Sequence, residues 1–153
     1  MSSPEESFTI REYRPGDFQA ICDIDRKCFS EAVAYSPEEM AFGFMQRGAF
    51  ALVAEQNGSI VGFVVAYQKK QPIGHIVTID ILPDFRRAGL GKKFMEIAEE
   101  RFKRRGASRV MLEVSVNNEG AIHFYKTLGY GAKRWLRNYY PDGTDAWLME
   151  KTL

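Results

Sequence analysis

The sequence lacks most of the features that mark membrane, secreted and nucleic-acid-binding proteins. It has two cysteines in 153 residues, Cys22 and Cys28, and their spacing in one helix-like stretch matches neither a disulfide framework nor a zinc site. No apolar run is long enough to span a bilayer, and residues 1–7 are polar and acidic rather than signal-like. The 21 Lys and Arg residues nearly balance the 20 Asp and Glu residues, and this net charge of +1 disfavours a dedicated nucleic-acid binder. We therefore expect a cytoplasmic protein with no metal, no membrane partner and no nucleic-acid partner.

The length of 153 residues predicts a single domain over residues 1–153, with residues 1–7 as a flexible tail. The hairpin signal Asn57-Gly58 joins two of the strands, and a helix that begins after Ser36 would bury Met40, Phe44 and Met45. The element order β-α-α-β-β-β-α-β-α-β-β predicts an α/β (α+β) fold, in which a single mixed sheet of about seven strands is flanked by about four helices. The strands are expected within residues 8–14, 50–67 (two strands), 75–82, 109–116, 130–136 and 145–151.

The stretch Ile79–Lys92 predicts a binding site for a phosphate-bearing ligand. An apolar strand gives way to a loop, and a helix starts just past Gly89 and Gly91. The glycines let the backbone approach a ligand closely, and the start of a helix favours negative charge. Arg86 and Arg87 add full positive charge. The alternative is an ordinary strand–helix turn with solvated arginines.

Two common phosphate motifs do not fit this stretch. A P-loop needs Gly where Arg86 stands and Ser or Thr where Lys93 stands. The dinucleotide-binding pattern needs Gly where Phe94 stands. The ligand is therefore expected to be held by another kind of phosphate loop.

Three segments resemble one known family. Arg-Arg-x-Gly-x-Gly, which ends at Gly91, resembles the acetyl-CoA pyrophosphate loop of the GNAT acyltransferases. The segment Leu112–Tyr130, which contains Leu-Glu-Val, Asn, Ala-Ile, Tyr and Leu-Gly-Tyr, is similar to a second GNAT segment, and Arg137–Ala146 is similar to the RimI- and Ard1-like N-terminal acetyltransferases. The resemblance implies the GNAT fold with its largely antiparallel sheet. It also implies direct transfer of acetyl from acetyl-CoA to the N-terminal α-amino group of a protein, such as a ribosomal protein.

The resemblance also assigns residues to acetyl-CoA. The backbone of Ile79, Asp80 and Ile81 would pair with the pantetheine arm and polarise the thioester carbonyl. Asn118 would contact the CoA arm, with a plain helix cap as the alternative or an additional role. The pyrophosphate would lie against Arg86, Arg87, Ala88, Gly89, Leu90, Gly91 and Lys92.

Three residues are the candidates for catalysis. Glu113 is the predicted general base, because an acid in an apolar strand is costly unless it is used or paired, and it matches the catalytic Glu of RimI-like enzymes. An arginine-paired Glu113 is the alternative. His75 matches the Ard1-like pattern Gly-His-x-Val-Ser/Thr-Ile and could serve as the base or assist it. Tyr125 matches the Tyr that protonates the departing CoA thiolate, with simple burial of its ring as the alternative.

The substrate side is expected in two loops. Tyr139 and Tyr140 match the loop that grips the substrate N-terminus, with a bland surface pair as the alternative, and Glu31 falls where Ard1-like enzymes place a substrate-contacting Glu. Asp80 stands where RimI-like proteins usually carry a small residue, and it is either a second acid near the site or an inert edge acid.

Two other functions stay open at this point. One is a GNAT enzyme that acts on a small-molecule amine or a lysine side chain, and the other is a CoA-binding sensor without turnover. The partners implied by the leading prediction are acetyl-CoA and a protein or peptide N-terminus, and the chain is expected to be a monomer or a weak dimer.

Overall fold

Seven strands form one mixed sheet in the part of the chain that the structure describes. The computed structural model describes residues 8–31, 33–70 and 72–153, with Lys70 as backbone only, so the predicted flexible tail at residues 1–7 lies outside it. The strands are β1 Thr9–Glu12, β2 Phe50–Gln56, β3 Ser59–Lys70, β4 Ile73–Ile81, β5 Arg109–Ser115, β6 Gly131–Leu136 and β7 Ala146–Thr152. The helices are α1 Phe18–Cys28, α2 Pro37–Phe44, α3 Leu90–Arg104 and α4 Glu119–Thr127.

The sheet order is β1-β2-β3-β4-β5-β7-β6. The pairing of β4 with β5 is parallel, and every other neighbouring pair is antiparallel. The predicted element order and the mixed, largely antiparallel sheet are therefore confirmed. No helix in the described ranges is long and apolar enough to cross a membrane.

Helices cover both faces of the central strands. Strand β3 is almost continuously apolar because both of its faces are buried. Val64 packs on the α3 side with Phe94 and Phe102, whereas Phe63 and Val65 pack on the α1 side. A strand that is buried on both faces has no polar alternation to show. The two faces thus carry two separate apolar clusters, one under α3 and α4 and one under α1 and α2.

Helix α2 starts as the sequence predicts but ends earlier. The Ser36 side chain accepts a hydrogen bond from the backbone N–H of Glu39, and Glu39 reaches back to the N–H of Ser36. Phe44 is the last helical residue, so Met45 lies at the C-cap and its side chain is 80% exposed. The prediction that Met45 belongs to the buried side was wrong, because that prediction extended the helical period one residue past the helix end.

Candidate active site

A deep cleft opens where two central strands separate. Strands β4 and β5 pair only at Ile73↔Arg109, Gly74↔Val110 and His75↔Met111. Beyond these pairs β4 stays bonded to β3 and β5 stays bonded to β7, so the two strands diverge. The cleft between them has a volume of about 1060 Å³ and is lined by both strands, the start of α3 and one side of α4.

A β-bulge in β4 decides which side chains face the cleft. Ala66 pairs with Ile76 and the preceding β3 residue pairs with Thr78, so Val77 is the extra residue on β4. After this bulge the alternation is inverted: Ile76 packs on the α3 side, and Thr78 and Asp80 lie on the α1 side. The bulge therefore turns the carboxyl of Asp80 toward α1 at the cleft wall.

The cleft ends at the N-terminus of α3, where the sequence predicts an anion site. Gly89 is the N-cap with φ +80°, and Arg87 also has a positive φ of 68°. A Cβ on Gly91 would lie 3.1 Å from the Phe124 ring, so glycine keeps this part of the cleft open. The first N–H groups of a helix have no intrahelical partner and can bind an anion.

The predicted loop residues divide between cleft and core. Arg87, Gly89, Gly91 and Lys92 line the cleft. Ala88 is exposed to solvent, and Leu90 packs into the core at 4% exposure, so for Leu90 only the backbone is available to a ligand.

Arg86 lies at the cleft wall and bonds to the last residue of β4. Its Nε donates a hydrogen bond of 2.8 Å to the carbonyl of Ile81. The thiol of Cys28 reaches the same carbonyl at 3.5 Å. The backbone of Ile79, Asp80 and Ile81 also lines the cleft, on the edge of β4 from which β5 has separated.

Glu113 and His75 are brought together at the point where the strands part. The His75 Nε2 and Glu113 Oε2 atoms are 2.6 Å apart, and the two side chains are 23% and 20% exposed. Glu113 lines the cleft, and its carboxylate pairs with His75 rather than with an arginine. The ring of Tyr67 packs edge-on against the His75 ring at a centroid distance of 4.8 Å. His75 is thus held between Tyr67 and Glu113.

Four tyrosines share the electrostatic environment of Glu113. Burial raises the pKa of Tyr35, Tyr67 and Tyr139, and the negative charge of Glu113 raises the pKa of each further. Burial and the same charge raise the pKa of Tyr140 to about 12. These phenols therefore stay protonated near neutral pH and can donate hydrogen bonds around the carboxylate.

The loop between β6 and β7 carries two of these tyrosines. Asp145 fixes the loop, because its carboxylate accepts hydrogen bonds from the backbone N–H of Asn138 at 2.8 Å and from Trp135 Nε1 at 2.7 Å. The rings of Tyr139 and Tyr140 meet edge to face at 5.0 Å. Tyr140 lines the cleft, whereas Tyr139 is 45% exposed.

Tyr125 and Asn118 approach the cleft from α4. Tyr125 is 8% exposed, and burial is the main cause that raises the pKa of its phenol. Its ring packs against that of Tyr130 at 5.9 Å. Asn118 caps α4, because its Oδ1 accepts a hydrogen bond from the N–H of Ala121 at 3.1 Å, and it lines the cleft as well. The cap and a ligand contact are thus compatible.

The loop between α1 and α2 forms another wall. Phe29, Ser30, Val33 and Tyr35 line the cleft, whereas the side chain of Glu31 is exposed to solvent. The structure thus brings this loop to the cleft, whereas Glu31 is not among the residues that line it.

Asp80 is a buried acid that lines the cleft. It is 2% exposed, and Thr78 Oγ1 donates a hydrogen bond of 2.6 Å to its Oδ1. Its carboxyl lies against that of Asp25 on α1, which is 0% exposed. Asp25 was not among the predicted site residues, although its spacing of four from Ile21 puts it on the apolar face of α1.

Comparisons with known proteins identify the family of the chain. The model of the acetyltransferase (GNAT) family matches residues 18–130. An N-alpha-acetyltransferase of Sulfurisphaera tokodaii is 32% identical over 164 residues, which cover 97% of this chain and 95% of that protein.

Two solved structures share the fold over nearly their whole length. The crystal structure of Ard1 from Thermoplasma volcanium has a TM-score of 0.87 at 28% identity, covering 95% of this chain and 97% of that chain. The ribosomal-protein-S18-alanine N-acetyltransferase from Escherichia coli has a TM-score of 0.83 at 28% identity, covering 95% and 94%.

Proposed function

The chain belongs to the acetyltransferase (GNAT) family, and we propose that it transfers the acetyl group of acetyl-CoA to the N-terminal α-amino group of a protein. The observation that carries the proposal is the Glu113 carboxylate in the cleft, backed by His75 at 2.6 Å. The acceptor class is supported by a relative named N-alpha-acetyltransferase that aligns with 97% of the chain.

Acetyl-CoA would lie along the cleft, from the N-terminus of α3 toward Glu113. Its pyrophosphate would lie at the N-terminus of α3, against backbone N–H groups and beside Arg87 and Lys92. Its pantetheine arm carries amides, which would pair with the free edge of β4 along Ile79–Ile81 as an added strand does. A backbone donor of this edge would then face the thioester carbonyl and stabilise the oxyanion of the tetrahedral intermediate.

Glu113 would take the proton of the attacking amine. An α-amine has a reference pKa of about 8, against about 10.4 for lysine, so an N-terminus is neutral more often near pH 7. The amine nitrogen forms a bond to the acetyl carbon, and its proton passes to the carboxylate in the cleft, directly or through one water. His75 lies behind Glu113 and would orient that carboxylate. This arrangement favours Glu113 over His75 as the group that faces the amine.

Tyr125 would complete the transfer. The carbon–sulfur bond of the thioester breaks, and the departing thiolate takes the phenol proton. Because burial raises the pKa of the Tyr125 phenol, it carries its proton near neutral pH and can give it to the thiolate. Tyr139 and Tyr140 would hold the peptide beyond the amine, and Glu31 would meet it from the α1–α2 loop.

The test is release of CoA thiol from acetyl-CoA with three acceptors. These are a peptide with a free N-terminal alanine and one internal lysine, the same peptide with a blocked N-terminus, and a polyamine. We expect turnover only with the free N-terminus. Turnover only with the polyamine, or equal turnover with the blocked peptide, would show a different acceptor. No turnover by protein that binds acetyl-CoA would favour a sensor.

Two variants test the roles with a matched control. Glu113→Gln should abolish most of the turnover. Tyr125→Phe should lower kcat while leaving the binding of acetyl-CoA largely intact. Tyr130→Phe is the control, because Tyr130 is also a buried phenol but bonds to Glu99, on α3. It should keep full activity.

A further inference from the structure

Two buried carboxyl groups meet beside the cleft and have no role in the proposed chemistry. Asp25 on α1 is 0% exposed and Asp80 on β4 is 2% exposed. Asp25 Oδ2 accepts the backbone N–H of Tyr35 at 2.7 Å, and Asp80 Oδ1 accepts the hydroxyl of Thr78 at 2.6 Å. The other oxygens, Asp25 Oδ1 and Asp80 Oδ2, are buried without a donor among the described residues.

The two orphaned oxygens belong to groups in hydrogen-bonding reach of each other. Two carboxylates cannot bond to each other, because both are acceptors only. One proton between them converts one group into a donor and satisfies both oxygens with a single hydrogen bond. Burial and the charge of Asp25 act in the same direction, since they raise the pKa of Asp80 well above its usual value.

The other titratable groups around the pair do not remove the need for a proton. Arg86 is the cation that acts on Asp80, but its Nε is bonded to the carbonyl at the end of β4. Burial raises the pKa of Cys22 and Cys28 on α1 and of Tyr125 on α4, so these groups are neutral near pH 7. Two adjacent charged carboxylates would therefore face each other with little compensation.

We propose that Asp25 and Asp80 share one proton, and that this acid–carboxylate hydrogen bond positions the α1–α2 loop against β4 at the cleft. Asp25 binds the loop through the N–H of Tyr35, and the Tyr35 hydroxyl donates to the carbonyl of Val77, the bulge residue of β4, at 3.3 Å. Tyr35 thus bonds to α1 through its N–H and to β4 through its hydroxyl. These two bonds tie the α1–α2 loop to β4, and both elements line the cleft. Asp25 and Asp80 are positioning residues.

The shared proton makes a prediction that does not depend on any acceptor. The folded pair holds a proton that two unfolded aspartates release near pH 4. The folded state therefore binds more protons than the unfolded state above that pH, so stability falls as pH rises until the pair itself ionises. In this window the folding equilibrium constant should fall by about tenfold per pH unit relative to a chain without the shared proton.

Asp80→Asn is the decisive variant, because an amide reproduces the protonated acid. Its oxygen can accept from Thr78 and its NH₂ can donate to Asp25, with no proton to lose. We expect this variant to be as stable as the wild type near the pH where the wild-type pair holds its one shared proton, and to lose the slope above that pH. Asp23→Asn is the matched control, since Asp23 lies on α1, the helix that carries Asp25, but has an exposed side chain. It should keep the slope, and parallel curves for wild type and Asp80→Asn would overturn the shared proton.

Infrared difference spectra give a direct readout of the proton. The wild type should show the C=O stretching band of a neutral carboxylic acid at a pH where exposed aspartates are ionised. The band should be absent in Asp80→Asn and present in Asp23→Asn. A wild-type spectrum without such a band would overturn the proposal.

The effect on turnover rests on the proposed acyl transfer and is measured separately. Asp80→Ala leaves Asp25 Oδ1 unpaired, so we expect a raised KM for the acceptor peptide, and Asp80→Asn should restore it. The ratio of kcat/KM for Asp80→Asn to that of the wild type should rise at alkaline pH, where the wild-type pair ionises. Ionisation of the acceptor amine cancels in this ratio. A ratio that stays flat while the infrared band is present would refute the positioning role.

Discussion

The contact between His75 and Glu113 predicts how much kcat/KM falls when each side chain is substituted. His75→Ala removes one short hydrogen bond to a charged carboxylate, an interaction of about 1.5–3 kcal/mol. Both side chains are about a fifth exposed, 23% and 20%, so partial solvent screening favours the lower end of that range. Since about 1.36 kcal/mol corresponds to a tenfold change in rate, kcat/KM should fall about 10- to 30-fold.

Glu113→Gln should be more damaging, because it removes the group that takes the proton. General-base catalysis contributes about 10²- to 10⁴-fold, so a loss in that range is expected. If His75 acts through Glu113, the double variant should be no worse than Glu113→Gln alone. The two effects should thus be strongly non-additive.

The assay is steady-state release of CoA thiol, at saturating acetyl-CoA and varied peptide with a free N-terminus. Glu150→Gln is the control, because Glu150 opposes Met111 on the neighbouring strand β7, so it lies on the same sheet face as Glu113. It should retain wild-type kcat/KM. The reasoning is refuted if His75→Ala lowers activity by its full factor again in the Glu113→Gln background, since the two residues would then act independently.

Three smaller predictions concern packing, charge and the anion site. Gly74→Ala puts a Cβ within 2.5–2.7 Å of three ring atoms of Phe102, so the free energy of unfolding should fall by about 1–3 kcal/mol in urea titrations; an unchanged midpoint would contradict this. The Arg11 guanidinium lowers the pKa of Asp17 by hydrogen bonding to its carboxylate. Asp17 therefore stabilises the fold above about pH 4, and this stabilisation is lost as pH falls through its folded pKa. Asp17→Asn should flatten the acid side of the stability curve, and a curve of unchanged shape would show that the pair contributes nothing. Gly91→Ala crowds two side chains of the cleft wall at 3.1–3.2 Å, so KM for acetyl-CoA should rise more than kcat falls; equal KM values would place the pyrophosphate elsewhere.

Local signals explain why much of the fold could be predicted. The strand β3 run, the Ser36 cap and the Asn57-Gly58 hairpin each depend on residues that are neighbours in sequence. The same holds for the anion loop, because Gly89 and Gly91 act through their own backbone and their lack of a Cβ. Met45 shows the limit of such local signals. The spacing of apolar residues identifies a helix more reliably than it identifies the residue at which the helix ends.

Contacts between distant residues could not be predicted in the same way. His75 and Glu113 are 38 residues apart, and they meet because β4 and β5 pair in parallel at His75↔Met111 before they separate. Asp25 and Asp80 meet because the bulge at Val77 inverts the alternation of β4. A regular strand would have turned Asp80 toward α3.

Short-range patterns in the sequence predicted the order of the elements and the Gly-rich loop before α3. The resemblance to the GNAT acyltransferases supplied the family and the candidates Glu113, His75 and Tyr125. Only the tertiary structure decided which groups touch. It paired Glu113 with a histidine rather than an arginine, buried Asp80 in an interior strand, and joined it to an aspartate that sequence reasoning had passed over. The physical reason is that strand register and the position of a bulge are set by packing of the whole sheet, whereas caps, turns and glycine loops are set by the residues that form them.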